Sequence, residues 1–172
     1  MKKSLQEIIG EIKNKRKTLF ILCGLPYSGK TYFANKIVEK THIEYVSVDD
    51  VFHELGYDWT TNKLPDEKTW GEIFKKTYNK SREALEKSIN VLYDSTNHTR
   101  SSRDILRKLA SEVGAETHVI FIDVPTQVVY DRWEKNRLNQ TRPVVDKILV
   151  DKVIRTFEKP TEDELILTLN YD

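Results

Sequence analysis

The amino-acid sequence predicts an α/β domain, a parallel sheet covered by helices on both faces. Three observations lead there. Five short apolar runs alternate with stretches of helical period. The runs are almost continuously apolar, as strands buried on both faces must be. The first run passes straight into "GLPYSGKT", a glycine-bearing loop that opens an amphipathic helix.

In chain order, Leu5, Ile8, Ile9 and Ile12 recur at helical spacing and predict a helix over residues 4–14, within an N-terminal unit of residues 1–17. The "KNKRK" that follows reads as a solvated helix end leading into a strand. The five predicted strands are Leu19–Cys23, Tyr45–Val48, Ile89–Tyr93, His118–Ile122 and Leu165–Leu169. Phe33, Ile37 and Val38 mark one intervening helix. Trp70, Ile73, Phe74 and Thr77 mark another, which reaches Lys87. Ile105, Leu106, Leu109 and Val113 mark a third, with Ser101 and Asp104 arranged as a capping box at its start. Two more cover residues 126–138 and 146–157. Residues 53–69, "HELGYDWTTNKLPDEKT", follow neither period and predict a long functional loop on the acceptor side. No repeat or linker interrupts the chain, so residues 1–172 read as one domain.

Charge is balanced, with 28 Lys+Arg against 27 Asp+Glu and a net charge of +1. No global field therefore attracts nucleic acid or a membrane, and an anionic ligand must be held by local groups. The one cysteine, Cys23, lies in an apolar strand and cannot form an internal disulfide, which fits a reducing compartment. His42, His53, His98 and His118 lack metal-ligand spacing. No apolar run approaches a membrane span and no signal-peptide core opens the chain, so the expected location is the cytoplasm.

The loop matches G-x-x-x-x-G-K-[ST] at Gly24, Gly29, Lys30 and Thr31, a pattern met by chance in roughly one chain in two hundred of this length. Its chemistry explains each residue type. The two glycines let the backbone curl until amides point inward at a phosphate. The helix that follows aims its positive end at the same anion. The expected cradle is Gly24, Leu25, Pro26, Tyr27, Ser28, Gly29, Lys30, Thr31 and Tyr32. Lys30 is expected on the β- and γ-phosphates and Thr31 on Mg²⁺. A nucleoside triphosphate is the predicted ligand.

Three features point beyond binding to phosphoryl transfer. The second strand runs into "YVSVDD", so Asp49 and Asp50 stand at the carboxyl edge of the sheet, where ligand crevices form. Asp49 there is placed to take the proton of an attacking hydroxyl, whereas Asp50 reads as a helix cap. The third strand ends in "YDSTN", which offers Asp94 for the Mg²⁺ water shell or the acceptor, and Asn97 for a substrate hydrogen bond. After the fourth strand, "DRWEKNRLNQTRP" carries Arg132, Arg137 and Arg142 five residues apart. That spacing suits a helix opening into a flap, with at least one arginine closing on the γ-phosphate. The guanine-reading motif N-K-x-D is absent; "NKLPD" places its acid one residue late.

Taken together, "GLPYSGKT", the strand-end "DD", "DSTN" with Arg100 and Arg103 behind it, and "FIDVP" leading to the arginine segment resemble the polynucleotide-kinase-like P-loop kinases. This group includes zeta-toxin-like and tRNA-modifying kinases, and its ATP-binding domain is of the AAA_33 type. The resemblance covers residues 18–160. It implies a three-layer fold with a five-stranded parallel sheet ordered 2-3-1-4-5 and a helical lid at 130–145. It also implies ATP and Mg²⁺ as cofactors. By similarity Lys30, Asp49, Asp94, Arg132 and Arg137 are the catalytic set, Thr31 holds Mg²⁺ and Asp94 reaches it through water. Asp49, Asn97 and Arg100 would face the acceptor, joined by Tyr57 and Trp59 as aromatic platforms; Trp70 reads as packing.

One departure bears on the acceptor. Polynucleotide 5′-hydroxyl kinases place an arginine three residues beyond the general base, and Phe52 stands there with His53 beside it. That argues for a small or nucleotide-derived hydroxyl acceptor over a nucleic-acid 5′ end. A polynucleotide or tRNA kinase and a nucleotide-binding regulatory module are the alternatives.

Overall fold

The computed structural model describes residues 2–58 and 64–169. Six parallel strands form one sheet: β1 (Lys2–Lys3), β2 (Thr18–Cys23), β3 (Ile43–Ser47), β4 (Asn90–Asp94), β5 (Glu116–Ile122) and β6 (Ile166–Leu169). Their spatial order is β1-β6-β5-β2-β4-β3. The five expected strands stand in the expected order, and the correction is a sixth at the edge. Lys2 and Lys3 pair with Thr168 and Leu169. Two lysines carry no apolar period, so patterning passes over them, and on an edge their charge discourages further strand addition.

The helices are α1 (Leu5–Lys13), α2 (Lys30–Val38), α3 (Val48–Glu54), α4 (Glu67–Glu86), α5 (Arg100–Glu112), α6 (Thr126–Asn139) and α7 (Lys147–Arg155). Every residue of β2 is buried, and its side chains alternate across the sheet. Leu19, Ile21 and Cys23 meet Phe52 of α3, Ile73 and Leu85 of α4 and Leu106 of α5. Phe20 and Leu22 meet Ile12 of α1, Ile37 of α2, Val129 of α6 and Val150 of α7. Each such aliphatic burial stabilises the fold by about 1.5–3 kcal/mol. The two cores lock β2 in place, and with it the loop at its carboxyl end.

Local chemistry sets the element boundaries. The Ser47 side chain accepts from the Asp50 amide at 3.2 Å and caps α3. Asp49 and Asp50 therefore lie in the first turn of a helix rather than at a bare strand end, and neither is the cap. The helix at Arg100 is capped by Thr99, whose hydroxyl accepts from Ser102 N at 3.2 Å; the expected Ser101–Asp104 box does not form, because Ser101 already lies inside the first turn. The irregular segment is also shorter than expected. His53 and Glu54 complete α3, and α4 begins at Glu67 under an Asp66 cap. Trp59 lies outside the described residues.

Candidate active site

The loop between β2 and α2 has the backbone a phosphate cradle needs. Tyr27 and Gly29 both have positive φ, 60° and 102°. Gly29 caps α2 without a side chain, leaving the first helical amides without intrahelical acceptors. A Cβ on Gly24 would stand 2.9 Å from Ser28 Oγ and 3.1 Å from the Ile122 carbonyl. Only glycine lets the loop pass so close. Ser28 is fully buried, and its hydroxyl has no hydrogen-bond partner among the described residues. An orphaned donor inside a positive helix end fits a phosphate oxygen.

Lys30 reaches back over this loop, its ammonium donating to the Gly24 and Leu25 carbonyls at 3.1 and 3.0 Å. Burial holds its pKa below the ordinary lysine value, opposed first by the charge of Asp94 and also by that of Asp49. Asp94 ends β4 at 8% exposure, in register with Ser47 of β3. Burial pushes its carboxyl pKa up. Lys30 and a 2.7 Å hydrogen bond from the Tyr45 hydroxyl oppose that rise, while Asp49 and Asp50 add to it. Asp49, exposed at the start of α3, thus acts electrostatically on both Lys30 and Asp94. Thr31 is exposed on the first turn of α2. The strand register brings these groups to one end of the sheet.

The other expected acceptor residues sit differently. Asn97 is buried with φ 47°, and its amide donates to the Leu22 carbonyl at 2.7 Å, tying the loop after β4 to β2. Arg100 is bound to Asp104, Thr161 and Asp163. Tyr57 packs its ring on Phe52 at 5.6 Å, and Trp70 stacks on the same ring at 5.7 Å.

Along α6 and the segment after it, Arg132 donates through Nη1 to the Tyr27 and Ser28 carbonyls at 3.1 and 2.9 Å. Arg137 is exposed and paired with Glu134, Nη2 to Oε1 at 2.5 Å. The Arg142 guanidinium lies 4.1 Å from the centroid of the Tyr27 ring. A cavity of about 370 Å³ opens between Gly29 and Tyr32 on one side and Arg132, Lys135 and Arg142 on the other.

Two features lay beyond sequence reasoning. One is the Tyr45–Asp94 bond. The other is the fully buried pair of Arg103 and Glu164, Nε to Oε2 at 2.6 Å and Nη2 to Oε1 at 3.1 Å. Arg103 also donates to the Asn97 carbonyl at 3.0 Å, so this pair braces the loop that follows Asp94. "DSTN" with an arginine six residues on was the only signal for it.

A family model described as AAA domain (AAA_33) matches residues 19–160, most of the chain, including the phosphate loop, Asp49, Asp94 and the three arginines after β5. The chain belongs to the AAA_33 family. Among curated relatives, it is 30% identical over 119 residues to the L-seryl-tRNA(Sec) kinase of Methanococcus maripaludis, covering 66% of this chain and 44% of that one. It is 32% identical over 135 residues to the adenylate kinase of Oceanobacillus iheyensis, covering 70% and 60%. The AAA_33 chain thus spans about half the length of these relatives. In fold it resembles a chain of the Pnkp1/Rnl/Hen1 RNA repair complex, with a TM-score of 0.71 at 24% identity, covering 83% of this chain and 44% of that one. Among the described residues, no helix is long and apolar enough to cross a membrane.

Proposed function

We propose that this protein is an ATP-dependent kinase that transfers the γ-phosphoryl group to the hydroxyl of a small or nucleotide-derived acceptor. What supports the reading is that Asp49 lies exposed on the first turn of α3, just beyond the end of β3 whose Ser47 is in register with Asp94. The Asp49 charge acts on both Lys30 of the phosphate loop and the buried Asp94. A module that only bound nucleotide would need no exposed carboxylate whose charge reaches the phosphate-loop lysine.

In the proposed step the acceptor oxygen bonds to the γ-phosphorus while the bond from phosphorus to the β–γ bridging oxygen breaks. The electron pair leaves with ADP and the acceptor proton passes to Asp49. The loop amides and Lys30 hold the phosphate oxygens, and Arg132 braces the loop from outside. Thr31 and Asp94 are the oxygen donors that fit magnesium, which keeps most of its waters and takes few protein ligands. When bound, the ion neutralises charge on the phosphates. The cavity beside Gly29 and Tyr32 lies between the phosphate loop and the arginine-bearing segment after α6.

Phe52 is fully buried in the core, so the position that would carry a phosphate-binding arginine in a 5′-hydroxyl polynucleotide kinase is occupied by packing. That favours a small acceptor. The tRNA kinase among the relatives keeps a tRNA acceptor as the second reading, and the adenylate kinase keeps a phosphate acceptor in the test. ADP release from MgATP is measured with pooled hydroxyl metabolites, 5′-hydroxyl oligonucleotides, tRNA and AMP. Stimulation by a hydroxyl metabolite, lost in Asp49→Asn, supports the proposal. Stimulation by AMP alone, or tight ATP binding with no stimulation at all, overturns it.

A further inference from the structure

The three lid arginines differ in what already binds them. Arg132 is engaged with two loop carbonyls. Arg137 is exposed and closed into a bidentate pair with Glu134, Nε to Oε2 at 2.8 Å. The Arg142 guanidinium has neither an ion pair nor a hydrogen bond among the described residues; its contact is the face of Tyr27, a residue of the phosphate loop itself. We propose that Arg142, and not Arg137, is the lid cation that meets the transferring phosphoryl group, and that Asn136 and Tyr27 are the residues that position it. This rests on the phosphotransferase reading above.

The backbone around Arg142 is held on both sides by one buried amide. Asn136, on the last turn of α6, accepts the Arg142 amide through Oδ1 at 3.2 Å and donates through Nδ2 to the Arg142 carbonyl at 3.1 Å. The same Oδ1 accepts the Thr141 hydroxyl at 3.1 Å. Gln140, with φ 48°, turns the chain back after α6 so that these groups meet. Two residues beyond Pro143, the Val145 amide donates to the Tyr27 hydroxyl at 3.2 Å, and the Val145 carbonyl accepts from Trp133 Nε1 at 2.8 Å. Tyr27 therefore holds the flap twice, by its ring under Arg142 and by its hydroxyl at Val145.

A planar guanidinium with five donors, stacked on a ring and without an anion, is organised to receive one. The Arg142 side chain is exposed beside that ring and lines the cavity between the loop and this segment, open to an entering anion. Because the stack is built on the phosphate loop, lid position and loop geometry move together.

The test compares affinity for ADP with affinity for ADP plus aluminium fluoride, by titration calorimetry with magnesium present. Only the second complex carries the charge of a transferring phosphoryl group. Arg142→Ala is expected to keep ADP affinity within about twofold and to lose most of the aluminium-fluoride gain, since such arginines are worth about 10³-fold or more in rate. Asn136→Ala should lose a smaller part of that gain, about tenfold to a hundredfold, as a misplaced donor does. Asn136→Asp, which keeps the acceptor for Arg142 N and Thr141, should recover some of it. Arg137→Ala should match wild type. An unchanged gain in Arg142→Ala, or a loss in Arg137→Ala, overturns the assignment. A wild-type protein that gains nothing from aluminium fluoride overturns the phosphotransferase reading, and the assignment with it.

Discussion

The Tyr45 hydroxyl donates to Asp94 Oδ2 across 2.7 Å, from one strand to its neighbour, and is the side-chain hydrogen bond that favours the buried carboxylate's ionised form. The carboxyl pKa nevertheless stands above the ordinary range, because burial, joined by the charges of Asp49 and Asp50, outweighs that bond and Lys30. Between the unfolded value of about 4 and the raised folded value, the native state holds the extra proton. Stability from this group is present at low pH and is lost as pH rises through that window. Asp94→Asn should remove the loss, so the melting temperature of the variant relative to wild type should climb as pH increases above about 4. A flat difference across the range sinks the idea. Tyr45→Phe should raise the Asp94 pKa further and move the acid limb of any pH–rate profile upward.

Asp49 is proposed to receive the acceptor's proton. Asp49→Asn keeps its size and its place in the first turn of α3 but cannot take a proton. Acceptor-dependent turnover should fall about 10²–10⁴-fold, while ADP affinity holds. Coupled ADP-release kinetics and calorimetry on the same protein separate the two. Equal loss of both would mean that Asp49 shapes the nucleotide site instead.

The glycine at the head of the loop has a steric role that can be read directly. Gly24→Ala drives a methyl group to 2.9 Å from Ser28 Oγ and 3.1 Å from the Ile122 carbonyl. Both are fixed, one by full burial and one by the sheet. The expected cost is about 1–3 kcal/mol of stability, with nucleotide binding lost. Chemical denaturation and ADP titration check each part; unimpaired ADP binding would falsify the close-approach argument.

Glu164 is buried against Arg103. Burial alone would raise its carboxyl pKa, but the hydrogen bonds from Arg103 and the Thr161 amide prevail and hold it low. The lowered value contributes stability above the unfolded carboxylate range that is lost as pH falls through it. Glu164→Ala leaves a buried guanidinium unpaired and should cost about 3–5 kcal/mol, whereas Arg103→Met with Glu164→Leu should recover most of that. Urea midpoints at neutral pH discriminate the pair. A double variant as unstable as the single one would show that packing, not the uncompensated charge, sets the cost.

The reading of residues 19–31 as strand, phosphate loop and helix needed nothing beyond the sequence, because each part is local. Five buried apolar residues, glycines where a chain must curl, and an amphipathic turn specify backbone without reference to distant segments. The same holds for the alternation that put helices on both faces. The lysine edge strand escaped because pairing, and not apolar period, makes it a strand.

What folding alone decided is which distant residues meet. Tyr45 and Asp94 are 49 positions apart and Arg103 and Glu164 are 61 apart, so neither pairing leaves a periodic trace; both follow from strand register and from the return of the chain beside α5. Equal five-residue spacing made Arg132, Arg137 and Arg142 indistinguishable as text. The turn at Gln140 and the amide of Asn136 separate them, bringing Arg142 to the Tyr27 ring while Arg137 remains at the surface with Glu134. Sequence pattern encodes local conformation and burial, whereas the partner of a charged group depends on where the chain comes back in space.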